Sequence, residues 1–182
     1  MRRGSILLGL AGVLMVSSAS CGSDGGSGDS AANTHVGPVS FELPEGIQEA
    51  YRDAEREGGW VAEYVDNEES AGAFIGVWRF RETPPSASAA ATEMAVQVRA
   101  SGTHPGISTS EGGDVDIPGA EDASIVNFTL EDSAENISGR WWMLVDPEED
   151  VAVTVEYYGS DVTEEDLDRF QESLTLDSEQ SW

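Results

Sequence analysis

Three apolar segments in the last third of the chain, Ser124–Leu130, Ile137–Val145 and Val151–Tyr158, are separated from one another by only a few residues. Parallel neighbours need a crossover of a dozen or more residues, so connections this short force the three to pair as antiparallel hairpins. The second connection, Asp146-Pro147-Glu148-Glu149-Asp150, carries proline where a type I turn favours it. Val151, Val153, Val155 and Tyr157 then share one face of the last strand.

The same reading extends upstream. Val39 and Phe41 alternate with Ser40 and Glu42 and stop at Pro44-Glu45-Gly46, which predicts a short strand and a turn. Residues 60–65 and 73–80 form a further strand pair around a polar Asp66-Asn67-Glu68-Glu69 loop. Between them and the first strand, Ile47, Tyr51 and Ala54 fit one helical face, while Gly58-Gly59 ends whatever forms there. After Pro84-Pro85, with Ser86 or Ser88 as cap, Ala91, Met94, Ala95 and Val98 make one apolar stripe of a helix ending before Gly102. A Gly/Ser/Pro-rich stretch follows, with a short strand near Val115 and Ile117. Leu167, Phe170 and Leu174 give the stripe of a closing helix whose first turn is acidic, as the helix dipole prefers. Strands, helix, strands, helix is an α+β order: an antiparallel sheet flanked by two or three helices.

Residues 1–20 have the layout of a secretory signal: Arg2 and Arg3, an apolar run from Ile6 to Val16, and the small residues Ser17-Ser18-Ala19-Ser20. The run is too short to span a bilayer, which takes about 20 residues. With Ala19, Ser20 and Cys21 at −2, −1 and +1, the segment resembles a bacterial lipoprotein precursor, which implies lipidation of Cys21 and anchorage to the outer face of the cell membrane. Ser18 stands where such precursors usually have leucine, and an ordinary signal-peptidase cut before an unmodified Cys21 is the alternative. Arg2-Arg3 also fits twin-arginine export, although Gly4-Ser5-Ile6-Leu7 lacks the aromatic expected there. Residues 21–37 are Gly/Ser/Asp-rich and predict a flexible tether, including His35, with a reach on the order of 20 Å. Residues 38–182 are then a single α+β domain, large enough to bury a core without metal or disulfide.

Charge narrows the function classes. The chain has 9 basic residues, all arginine, against 35 acidic ones, and removal of Arg2 and Arg3 with the leader leaves 7 against 35, or −28. Nucleic-acid binding requires a cationic surface that neutralises phosphates, so it is excluded. A polybasic membrane-surface protein is excluded likewise. A cationic partner is favoured instead.

The run Val39-Ser40-Phe41-Glu42-Leu43-Pro44-Glu45-Gly46, a middle helix after a hairpin, and an ending that passes from Val151-Ala152-Val153-Thr154-Val155 to a helix finishing Gln171-Glu172-Ser173-Leu174 together resemble the PsbP-like α/β/α sandwich superfamily. Within it, the likeness is to small exported lipoproteins of the LpqN and related uncharacterised kinds. Ile47 stands where these usually carry tryptophan after the turn. The resemblance implies an accessory, protein-binding module with no shared catalytic motif.

The residues themselves offer little chemistry. The single cysteine, Cys21, lies outside the domain, and His104 in Gly102-Thr103-His104-Pro105-Gly106 is the one histidine within it, with no serine in a nucleophile elbow. Gly112-Gly113 completes no phosphate loop. Acidic groups at Asp114 and Asp116, at Asp146, Glu148, Glu149 and Asp150, and at Asp161, Glu164 and Glu165 read as a solvated surface rather than a calcium site. No catalytic residue, metal or cofactor is expected. Trp141-Trp142 in a strand must send one indole to each face, and if no helix covers both, Trp142, with Tyr158 on the neighbouring strand, could stack a sugar or apolar ligand. The expected function is therefore a lipid-anchored, non-catalytic envelope protein that docks another protein through a sheet face or helix groove. A ligand-binding module using Trp142 and Tyr158 is the alternative, and a hydrolase a distant third.

Overall fold

In a computed structural model of the chain, the residues described are 33–182, apart from 54, 67–71, 103–105 and 131–136. Ten strands and two helices follow in the order β1 (Asn33–Val36), β2 (Val39–Glu42), β3 (Gln48–Arg52), β4 (Gly59–Val65), β5 (Ala73–Arg79), α1 (Ala87–Ser101), β6 (Ile107–Asp114), β7 (Asp122–Leu130), β8 (Ile137–Asp146), β9 (Val151–Gly159), α2 (Glu164–Ser173) and β10 (Thr175–Leu176). Seven of the strands make one sheet, β3-β4-β5-β9-β8-β7-β6, and three make a smaller one, β1-β2-β10. Every pairing is antiparallel, which places the chain in the α+β class.

β8 and β9 run through the middle of the large sheet and are buried on both faces, which is why they read as near-continuous apolar runs rather than alternating ones. α1 lies on one face. Its Ala87, Ala90, Met94 and Val98 pack with Val126, Trp141, Met143, Val145 and Ala152. Ser86 caps it by accepting the Ala89 N–H, and Gly102 ends it at φ 66°, the left-handed conformation glycine adopts freely. On the other face, α2 and β2 cover Trp142, Leu144, Val153, Val155 and Tyr157 with Phe41, Leu167 and Phe170. A capping box opens α2: Thr163 Oγ1 accepts the Asp166 N–H, and the Asp166 carboxylate accepts the Thr163 N–H at 3.0 Å. The Thr163 hydroxyl, which donates to Asp166 Oδ2 at 2.6 Å, and the Thr163 N–H together hold the Asp166 carboxyl below its ordinary range.

Two segments differ from expectation. The tether was expected to reach Gly37, but Asn33–Val36 is a strand whose Val36 is buried, so the ordered part starts earlier and includes His35. Residues 48–52 form edge strand β3 rather than a helical turn, pairing with β4 through backbone bonds while all five residues stay exposed.

Burial also fixes an alkaline limit to stability. Tyr64 and Tyr157 are 1% and 4% exposed, and burial pushes both phenols up to about 12. Arg52 beside Tyr64 opposes that rise, whereas Asp166 and Asp66 add to it at Tyr157. An unfolded phenol ionises near 10, so the folded state keeps protons that the unfolded state has lost. The stabilisation is complete below pH ~10 and declines by about 1.4 kcal/mol per tyrosine per pH unit from there to ~12. Circular dichroism should show unfolding that begins above pH ~10, with phenolate absorbance rising in step. Phenolate forming at these two rings while the fold stays intact would contradict their burial.

Candidate functional site

The two tryptophans of β8 point to opposite faces, and each is covered. Trp141 packs against Phe128, with ring centres 5.0 Å apart, and its Nε1–H donates to Glu156 Oε1 at 2.8 Å beneath the α1 face. Trp142 packs 5.3 Å from Phe170 of α2 and donates Nε1–H to Gln171 Oε1 at 3.0 Å. Both indoles are fully buried. Tyr158 is half-buried on the Trp141 side, between Phe74 at 5.0 Å and Phe128 at 5.9 Å, and burial with the Glu156 and Glu63 charges raises its phenol. The sheet thus separates Trp142 from Tyr158 and brings neither to an open platform.

Members of two of the three acidic groups have structural partners. Glu164 and Asp168 hold the guanidinium of Arg140, which is 3% exposed and also donates to Asn127 Oδ1 at 2.8 Å. Asp146 accepts bonds from the Glu149 N–H and the Ser178 hydroxyl. Glu165 pairs with Arg169. Among the described residues, no group of three or more His, Cys, Asp or Glu side chains is placed to hold a metal ion. Cys21 and His104 lie outside the described residues.

Two open clefts flank α1. The first, about 460 Å³, runs between the helix and β6, the last strand of the large sheet. Ala91 and Ala95 are too small to close it, Ser110 and Gly113 leave it open from the strand side, and Val96 stands on its rim 59% exposed. Glu111 and Asp114 give it a negative wall, and Arg99 reaches across to Thr109 Oγ1 at 3.5 Å. β6 was not expected from the sequence, where the strand signal was placed near Val115 and Ile117. Its Ile107-Ser108-Thr109-Ser110 start is β-prone but polar, because only one side of an edge strand meets a core.

The second cleft, about 500 Å³, lies on the other side of α1, against Glu93 and Gln97. Arg56, Arg79 and Arg81 line it together with Gly58, Gly59, Trp78 and Glu82. The pairing of Gly59 with Arg79 in the β4–β5 register brings Arg56 beside Arg79 across 23 residues of sequence. Neither alternation nor spacing marks this grouping in the sequence.

No protein-family model matches the chain, and a search of curated proteins finds no matching relative. Among the described residues, no helix is long and apolar enough to cross a membrane.

Proposed function

We propose that this chain is an extracytoplasmic, non-catalytic module, anchored through lipidated Cys21, that docks an extended basic segment of another envelope protein between α1 and β6. The observation that carries this reading is the groove itself, which joins a sheet edge to an exposed apolar side chain. β6 ends the seven-stranded sheet, so its outer backbone groups face no further strand of that sheet. Such an edge accepts an added strand, with main-chain bonds supplying affinity and the adjoining pocket supplying specificity. Val96 offers an apolar anchor, and Glu111 and Asp114 favour a positively charged occupant. β1 begins twelve residues beyond Cys21, a stretch that spans at most ~40 Å in any conformation, so the groove stays near the membrane. The PsbP-like sandwich belongs to the same proposal, supported by an antiparallel sheet lying between α1 and α2.

A photo-crosslinking amino acid at Thr109, used in intact cells with mass-spectrometric mapping, tests the reading. The expected crosslink joins β6 to an extended, basic segment of one partner. Val96→Glu should abolish it while shifting stability by no more than about 0.5 kcal/mol, as befits an exposed site. Cys21→Ser should move the protein out of the membrane fraction and lower the yield. A partner captured equally well by the Val96→Glu protein would overturn the groove as the docking site.

A further inference from the structure

The distribution of arginine carries an inference that does not depend on the groove. Seven arginines lie within the described part of the chain, against 35 acidic residues in the whole sequence and no lysine. With acids in such excess, an arginine is expected to find a carboxylate. Arg52 pairs with Glu49, Arg140 with Glu164 and Asp168, and Arg169 with Glu165 and Asp166. Arg56, Arg79, Arg81 and Arg99 are in no ion pair among the described residues, and the first three of these share one cleft.

Local backbone carbonyls hold two of them. Arg56 Nη1 donates to the Trp60 carbonyl at 3.2 Å, and Arg79 Nη1 donates to the Arg56 carbonyl at 3.2 Å. Each bond uses part of a five-donor fork and fixes its direction, leaving other N–H groups available. The Arg79 guanidinium also lies 4.8 Å over the Trp182 ring. Two glycines permit the close approach. A Cβ on Gly58 would sit 3.3 Å from the Arg81 Cβ, and one on Gly59, at φ 95°, would sit 3.4 Å from the Arg56 Nε. Trp78 supplies a half-exposed indole wall beside them. Glu82 and Glu93 are the acidic residues lining this cleft, so within it three cations stand against two carboxylates; Arg79 and Arg81 also border the adjoining hollow, which Glu55, Glu149, Asp150 and Glu179 line.

We infer that the Arg56–Arg79–Arg81 cleft binds a phosphate-bearing ligand. Guanidinium forks match the paired oxygens of phosphate in planar, bidentate fashion, and several forks lining one cleft suit a doubly charged tetrahedral anion better than a single carboxylate. The Trp78 ring is placed to receive the organic body that carries the phosphate. Glu82 and Glu93 disfavour ligands whose anionic charge is spread along a chain rather than concentrated at one group.

Titration of the purified protein, followed by NMR at the arginine Nε–H and Trp78 indole N–H signals, tests this with two probes. Inorganic phosphate represents a free anion, and monomeric dihexanoyl phosphatidic acid represents a lipid headgroup. Saturable shifts at Arg81 and Trp78 with either probe are expected, and the tighter probe identifies the source. Arg81→Gln should weaken binding about tenfold and Arg56→Gln/Arg81→Gln about a hundredfold, the loss typical of one and two charged hydrogen-bonding groups. Arg99→Gln, an exposed arginine on the other side of α1, should leave affinity unchanged. Absence of saturable shifts with both probes into the millimolar range would overturn the inference. So would wild-type affinity in an Arg56→Gln/Arg81→Gln protein whose melting temperature is unchanged.

Discussion

Trp142→Ala should lower the unfolding free energy by about 3–5 kcal/mol, the usual result of emptying a large buried aromatic site. The side chain is fully buried among neighbours already packed on one another: Phe170 belongs to α2, 5.3 Å away, and Phe41 and Tyr157 crowd Phe170 at 5.3 and 5.1 Å. A domain of this size has about 5–15 kcal/mol in total, so the variant should be near its unfolding threshold at physiological temperature. Trp142→Phe separates packing from polarity. It keeps most of the apolar volume but strands the Gln171 Oε1 that accepts the indole N–H, and should cost about 1–3 kcal/mol. Guanidinium titrations followed by far-ultraviolet circular dichroism measure both. A Trp142→Ala midpoint equal to wild type would show that the indole is not part of the core and would return it to consideration as a ligand platform.

The contrast between what the sequence reveals and what it hides follows from burial. Gly59–Val65, Ala73–Arg79, Asp122–Leu130, Ile137–Asp146 and Val151–Gly159 are all visible as strands, because each presses at least one face into a core and pays for that in apolar residues. The stripe of α1 is visible for the same reason, although Ala87 and Ala90 bear on the sheet more closely than Ala91 and Ala95. β3 is hidden because all five of its residues are exposed, so its pairing rests on backbone groups that leave no side-chain signature. β1, with one buried residue in four, looks like the polar tether preceding it. The arginine cleft is hidden at another level. Arg56, Arg79 and Arg81 are adjacent only because β4 and β5 pair in one register, and the chance of reading that register from a single sequence is poor. The groove between α1 and β6 is hidden for both reasons, being formed by an unrecognised edge strand and by small residues on a helix.

Gly119 and Gly46 make a matched pair that isolates the cost of a steric clash. Both have φ 85°, so alanine at either position bears the same left-handed penalty of roughly 1–2 kcal/mol. Gly46 has open space where a Cβ would sit. At Gly119 the Cβ would overlap the carbonyl oxygen of Leu176, a backbone atom that cannot rotate away. That carbonyl belongs to β10, which is held by the Leu176 N–H donating to the Pro118 carbonyl at 2.9 Å and by pairing with Ser40 and Val39 of β2. Relieving the overlap means pulling β10 away from Pro118, which breaks that bond and loosens Leu176 and the neighbouring Leu174 in the core beneath α2. The added loss is about 2–3 kcal/mol, one backbone hydrogen bond plus part of two buried leucines. Gly119→Ala should therefore destabilise by roughly 3–5 kcal/mol and Gly46→Ala by roughly 1–2, read from chemical denaturation under identical conditions. Equal losses at the two sites would mean that β10 is free to move, and that the small sheet is only loosely fastened to the 115–120 segment.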